Sequence, residues 1–212
     1  MSEMKRLRGS ASFRFREKGS VFLTELHTAA DADERGNALS AIRRRDHDAT
    51  HHCSAWRQGV PVTEFGSDDD GEPSGTAGPP MLNVLEGMGL TDVIAVCVRW
   101  FGGTKLGTGG LVRAYTEGVQ GAAAEAEKLG LLEPVRIMVE GTMEVPPEMA
   151  HLPFAVLGSF RGAEIVGQDF GPRVSKVTFR LPPEDCQALE TAWRDRSRGG
   201  GVQWSKSKEG RG

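Results

Sequence analysis

The densest chemistry in this chain lies in one run, Arg99-Trp100-Phe101-Gly102-Gly103-Thr104-Lys105-Leu106-Gly107-Thr108-Gly109-Gly110-Leu111-Val112-Arg113. The pattern reads as a strand, a glycine loop and then a helix. A helix N-terminus offers unpaired N–H groups and about half a positive charge, and Thr108 is placed to cap it. Arg99, Lys105 and Arg113 add three cations. Gly102, Gly103, Gly107, Gly109 and Gly110 allow close approach to the main chain. Together these suit a phosphate, a carboxylate or an RNA backbone. The run is not a Walker loop, because the G-x-x-x-x-G-K-S/T spacing is absent, and it lacks the third spaced glycine of a dinucleotide fingerprint.

A second glycine loop reads Ser67-Asp68-Asp69-Asp70-Gly71-Glu72-Pro73-Ser74-Gly75-Thr76-Ala77-Gly78. Its crowded carboxylates repel one another unless a positive charge answers them. A divalent cation such as Mg²⁺ or Ca²⁺ would do so through oxygen ligands, which makes Asp69, Asp70 and Glu72 metal or general-base candidates. The spacing is not that of a calcium loop. The alternative is structural: the acids cap the following helix and pair with Arg99 or Arg113. His51-His52-Cys53 lies upstream on a short strand, with His51 and Cys53 on one face and His52 on the other. His51 suits acid–base work or a metal, or a tie to the acidic loop. No other cofactor is called for. Trp56, Trp100, Phe101 and Tyr115 flank these segments, either to stack on bases or as core, the latter favoured for Phe101 and Tyr115.

These segments need elements to hold them. Strands are predicted over 12–16 and 20–26, with a turn at Lys18-Gly19. A helix is predicted over 31–46, opened by acidic residues, and a strand over 51–56. Residues 66–80 read as a loop, 81–89 as a helix and 92–101 as a buried central strand rich in β-branched residues. The stripe Leu111, Tyr115, Val119, Ala122 and Ala126 predicts a helix over 111–129 that lies on a sheet. The pattern breaks at 131–134. A strand over 135–145, a helix over 147–160, strands over 163–169 and 173–181, a helix over 183–196 and a strand over 202–204 follow, in the β-α-β-β-α-β order of the ferredoxin-like fold. Residues 1–10 and 205–212 read as frayed tails. The expected fold class is α+β, with domains over 10–131 and 134–205.

The chain has 212 residues, with 26 Lys and Arg against 29 Asp and Glu, for a net charge of −3. That excludes a histone-like electrostatic binder but leaves room for a local basic site. No stretch approaches the roughly 18 apolar residues of a membrane span, and no signal-peptide core follows the basic start. The expected location is the cytoplasm, with no membrane partner. Cys53, Cys97 and Cys186 are too few and too scattered for a disulfide framework or a four-thiolate zinc site. Eleven of the 28 glycines fall between Gly66 and Gly110, which singles out the two loops.

Ala49-Thr50-His51-His52-Cys53-Ser54-Ala55-Trp56, then 69–78, then 99–115 resemble, in order, the three signature blocks of the YigZ/IMPACT family. Trp56 and Trp100 stand where the family usually has tyrosine, His52 replaces the commoner asparagine and Asp68 replaces a serine. The resemblance implies an N-terminal α/β sandwich like the second domain of a small-subunit ribosomal protein, also seen in GHMP kinases. It implies a C-terminal ferredoxin-like domain similar to the last domain of elongation factor G. It further implies translation-linked regulation. Eukaryotic members compete for an activator of a stress kinase, and bacterial members are tied to RNA or the ribosome by fold analogy.

The first expectation is therefore a binding regulator of RNA, the ribosome or a translation-regulating protein, with no DNA partner. It would act through Arg99, Gly102, Gly103, Lys105, Gly107, Thr108, Gly109, Gly110 and Arg113. The alternative is a metal-dependent enzyme on a phosphorylated or nucleotide substrate, with His51, Asp69, Asp70 and Glu72 as its catalytic group.

Overall fold

The computed structural model describes residues 4–135, 137–197 and 200–205. The chain divides after Val135 into two compact units.

In the first unit the elements are β1 (Lys5–Leu7), β2 (Ser10–Glu17), β3 (Ser20–Thr28), α1 (Ala32–Arg45), β4 (His51–Gln58), β5 (Glu64–Asp68), α2 (Gly78–Gly87), β6 (Leu90–Thr91), β7 (Val93–Trp100), α3 (Thr108–Lys128) and β8 (Leu132–Pro134). An antiparallel five-stranded sheet runs β2-β3-β7-β4-β5. β7 is central because Val93–Val98 carries no polar side chain and can be covered on both faces. All six of those residues are fully buried. On one face, Leu111, Tyr115, Val119, Ala122 and Ala126 of α3 pack with Met81 and Leu85 of α2 over Phe22, Leu26, Cys53 and Cys97. On the other face, Ile42 of α1 covers Ile94, Val96 and Val98. The Asp31 side chain accepts from the Glu34 N–H at 2.9 Å to start α1, and Arg43, Arg44 and Arg45 complement its C-terminal dipole.

Three expectations change here. Residues 5–7 are not a tail: β1 pairs with β6 and β8 in a small sheet. Residues 66–68 belong to β5 rather than to a loop. α2 starts at Gly78, because prolines suit a first helical turn, where no N–H partner is needed.

The second unit runs β9 (Val139–Val145), a 3₁₀ turn (Pro147–Met149), α4 (Leu152–Leu157), β10 (Glu164–Phe170), β11 (Ser175–Leu181), a 3₁₀ turn (Pro183–Asp185), α5 (Cys186–Arg196) and β12 (Gln203–Trp204). The β-α-β-β-α-β order is as expected, and the sheet order is β10-β11-β9-β12. Val177, Phe179 and Leu181 alternate inward from β11 to meet Met143, Leu189 and Trp193. The helix expected over 147–160 is broken into a turn and a short α4. Residues 206–212 of the expected C-terminal tail lie outside the described residues.

Candidate functional site

Both glycine loops belong to the first unit, and they meet through one buried side chain. Glu72, from the acidic loop, is 8% exposed. Its Oε1 accepts from Arg99 Nη1 at 2.6 Å and from the Tyr115 hydroxyl at 2.8 Å. Arg99 Nη2 also donates to Ser20 Oγ at 3.2 Å. Arg99 is only 4% exposed, so it is a structural counter-ion and not an anion ligand. This corrects its place in the candidate set.

The other acidic residues are equally committed. Asp69 accepts from the N–H groups of Gly75, Ala77 and Gly78 at 2.7, 2.9 and 2.8 Å. Burial pushes its carboxyl up, and the donors from Gly75, Gly78 and Ala77 outweigh this, leaving it below the usual carboxylate range. Asp70 accepts from the His52 N–H and from Arg43 Nη2, both at 2.7 Å. His51 Nδ1 meets the Asp70 carbonyl at 2.8 Å, and its Nε2 stands 3.9 Å from Glu72. Asp69, Asp70 and Glu72 thus point to three separate sets of partners. Among the described residues no group of three His, Cys, Asp or Glu is arranged to hold a metal ion. The divalent-cation arrangement is not formed, because backbone donors and arginines answer the carboxylates instead.

Cys53 is also structural. Its sulfur lies 3.0 Å from the Asp69 carbonyl and 3.3 Å from the Tyr115 oxygen, two acceptors that share its one proton. Burial pushes the thiol of Cys53 and the phenol of Tyr115 far up, so neither ionises near neutral pH. Tyr115 is core, as expected, whereas Phe101 is 46% exposed.

The second loop presents what remains. α3 begins at Thr108, so Gly107 takes the cap position and Thr108 does not, and the first turn has no side-chain cap. Gly107 and Gly103 hold φ of 74° and 85°, a region that disfavours side chains. A Cβ on Gly103, Gly107 or Gly109 would meet nothing within 4 Å, so these main-chain positions are open to solvent. Gly110 packs on Leu106 instead. Lys105 and Arg113 are exposed, and neither forms an ion pair among the described residues. The cation-bearing part of the candidate site therefore reduces to Lys105, Arg113 and the start of α3.

Sequence reasoning missed the contact that fixes this loop. Gly102 lies on Gly19, the turn residue between β2 and β3. A Cβ on Gly102 would come within 1.9 Å of the Gly19 backbone. The Gly102 N–H donates to Ser20 Oγ at 3.2 Å, and the Phe101 N–H donates to Thr50 Oγ1 at 3.0 Å. The Lys18-Gly19 turn was visible in the sequence, but not the partner it packs against.

Comparison with known proteins matches residues 18–123 to the Impact N-terminal domain. The chain is 50% identical over 109 residues to the IMPACT family member YigZ of Escherichia coli, covering 50% of this chain and 52% of that protein. It thus spans about half the length of that relative. It is 39% identical over 166 residues to an IMPACT family member of Thermus thermophilus, covering 77% of this chain and 85% of that protein. A crystal structure of a hypothetical protein superposes with a TM-score of 0.62 at 30% identity, covering 98% of this chain and 100% of the other.

Proposed function

The chain belongs to the IMPACT family, and from that premise we propose that it is a cytoplasmic, translation-linked regulator. It engages RNA, the ribosome or a translation-related partner through the loop 102–110 and the start of α3. The family resemblance carries the link to translation, and the chemistry of the loop carries the mode of binding. The single observation behind that mode is the contrast between cations. Arg99 is consumed by Glu72, whereas Lys105 and Arg113 stand exposed beside an uncapped helix start and open glycines. That contrast fits an anionic partner.

The test is binding of the whole protein to RNA and to purified ribosomes across a range of salt concentrations. Lys105→Ala and Arg113→Ala are expected to weaken binding several-fold each and to flatten its salt dependence. Wild-type affinity in both variants would remove the proposal. Among the described residues no helix is long and apolar enough to cross a membrane.

A further inference from the structure

Four features of the first unit lie at one end of the five-stranded sheet, where the β2–β3 turn stands beside the end of β7. The turn between β2 and β3 carries Lys18, which is exposed and held at φ 45°. The next residue, Gly19, is packed backbone to backbone against Gly102 of the glycine loop. Lys105 follows three residues later, and Arg113 lies on the first turns of α3. Phe101 precedes Gly102. Its main chain is pinned by Thr50, and the Arg99 guanidinium lies 5.5 Å from its ring centroid, yet Phe101 is nearly half open to solvent. Lys18, like Lys105 and Arg113, has no ion pair among the described residues.

We propose that the β2–β3 turn completes this surface and that its ligand is single-stranded RNA, with phosphates on Lys18, Lys105 and Arg113 and a base stacked on Phe101. This deepens, and rests on, the anion-binding reading above. Three cations, on a tight turn, a glycine loop and the start of α3, match a phosphate chain. An exposed ring with a guanidinium behind it matches the face of an unstacked base, which a duplex does not offer. Glu17 and Glu117, both exposed, sit on the flanking strand and helix. Arg14 is excluded, because it lies over Trp100 on the opposite face of the sheet from Phe22 and Arg99.

The experiment is fluorescence anisotropy of the full chain with a labelled 12-nucleotide single-stranded RNA at several potassium chloride concentrations. Its arms are an abasic strand of the same length and the RNA duplex. With three phosphate contacts, log affinity should fall against log salt with a slope of about −2. Lys18→Ala should weaken binding three- to tenfold and reduce that slope by about 0.7. Phe101→Ala and Phe101→Leu should each weaken the single strand by about tenfold while leaving the abasic strand unchanged. Arg14→Ala should stay within twofold of wild type. If Lys105→Ala and Arg113→Ala weaken binding but Lys18→Ala and the Phe101 variants do not, this inference falls and the anion site stands. If none of them weakens it, both fall. Duplex or abasic strand bound as tightly as the single strand overturns the stacking assignment. Thermal unfolding of each variant identifies any loss that comes from misfolding, and Phe101→Leu keeps the test open if Phe101→Ala does not fold.

Discussion

Arg99, near the end of β7, and Glu72, from the acidic loop, meet inside the first unit at 2.6 Å, both nearly closed to solvent. The pair joins the acidic loop to the end of β7, and Tyr115 joins both to α3. A buried pair is poor evidence of net stabilisation, but breaking it leaves a lone charge in a dry place. Arg99→Met and Glu72→Met should each destabilise the first unit by about 3–5 kcal/mol. The double variant Arg99→Met with Glu72→Met should lose clearly less than the sum. Urea titrations of the four proteins measure the coupling, and additive losses would mean that the two residues act independently.

Tyr115 contributes one hydroxyl to this arrangement, donating to Glu72 and accepting from Cys53. Tyr115→Phe keeps the ring packed against Phe22 and removes only that oxygen. The expected loss is about 1–3 kcal/mol, because a buried carboxylate oxygen loses a donor. A second readout is thiol labelling of the native protein. Cys53 loses its tie to Tyr115 and should label faster, but only in step with the fall in stability. Faster labelling without destabilisation would point to a local opening instead.

The parts of this fold that could be read from the chain are those set by local pattern. The six apolar residues of β7 and the Leu111–Ala126 stripe declare a central strand and a covering helix, and both are present. β1 was hidden because three residues carry no period, and its partners lie at Leu90–Thr91 and Leu132–Pro134. At the site, the loop and its cations were legible as composition. Which cation stays available was not, since Arg99 is removed by an acid brought to it only by the folded sheet. The Gly19–Gly102 contact was hidden for the same reason: each glycine makes sense alone as a turn residue, and their contact exists only in three dimensions.

Acid should act on Glu25. His27, hydrogen-bonded at 2.9 Å, holds its carboxyl down against the opposing effect of burial, and Arg45 adds to this, so that it sits at about 2 rather than 4.5. A carboxyl lowered in the folded state contributes stability that is fully present above the unfolded value and is lost as pH falls toward the folded one. Glu25→Gln should therefore lower the melting temperature at pH 6. It should also flatten the decline between about pH 4.5 and pH 2 relative to wild type. Parallel curves for the two proteins over that window would place the acid sensitivity elsewhere.

Two glycines of one loop should respond to alanine in opposite ways. A Cβ on Gly102 would fall 1.9 Å from the Gly19 carbonyl carbon and 2.3 Å from the Ser20 nitrogen. Those are main-chain atoms that cannot rotate away, so the hairpin must be pushed off the loop. Gly102→Ala should destabilise the first unit by about 1–3 kcal/mol. Gly109 lies in the first turn of α3, has no positive φ, and its Cβ would meet nothing within 4 Å. Gly109→Ala should leave stability unchanged or raise it by up to about 1 kcal/mol, because alanine gives up less backbone freedom on folding. If an anion lies against the main chain at the start of α3, the same methyl group should weaken its binding. A protein that melts higher yet binds RNA less tightly would separate the ligand from the fold. A Gly109→Ala protein with unchanged affinity would move the ligand away from the helix start and onto the lysine and arginine side chains alone.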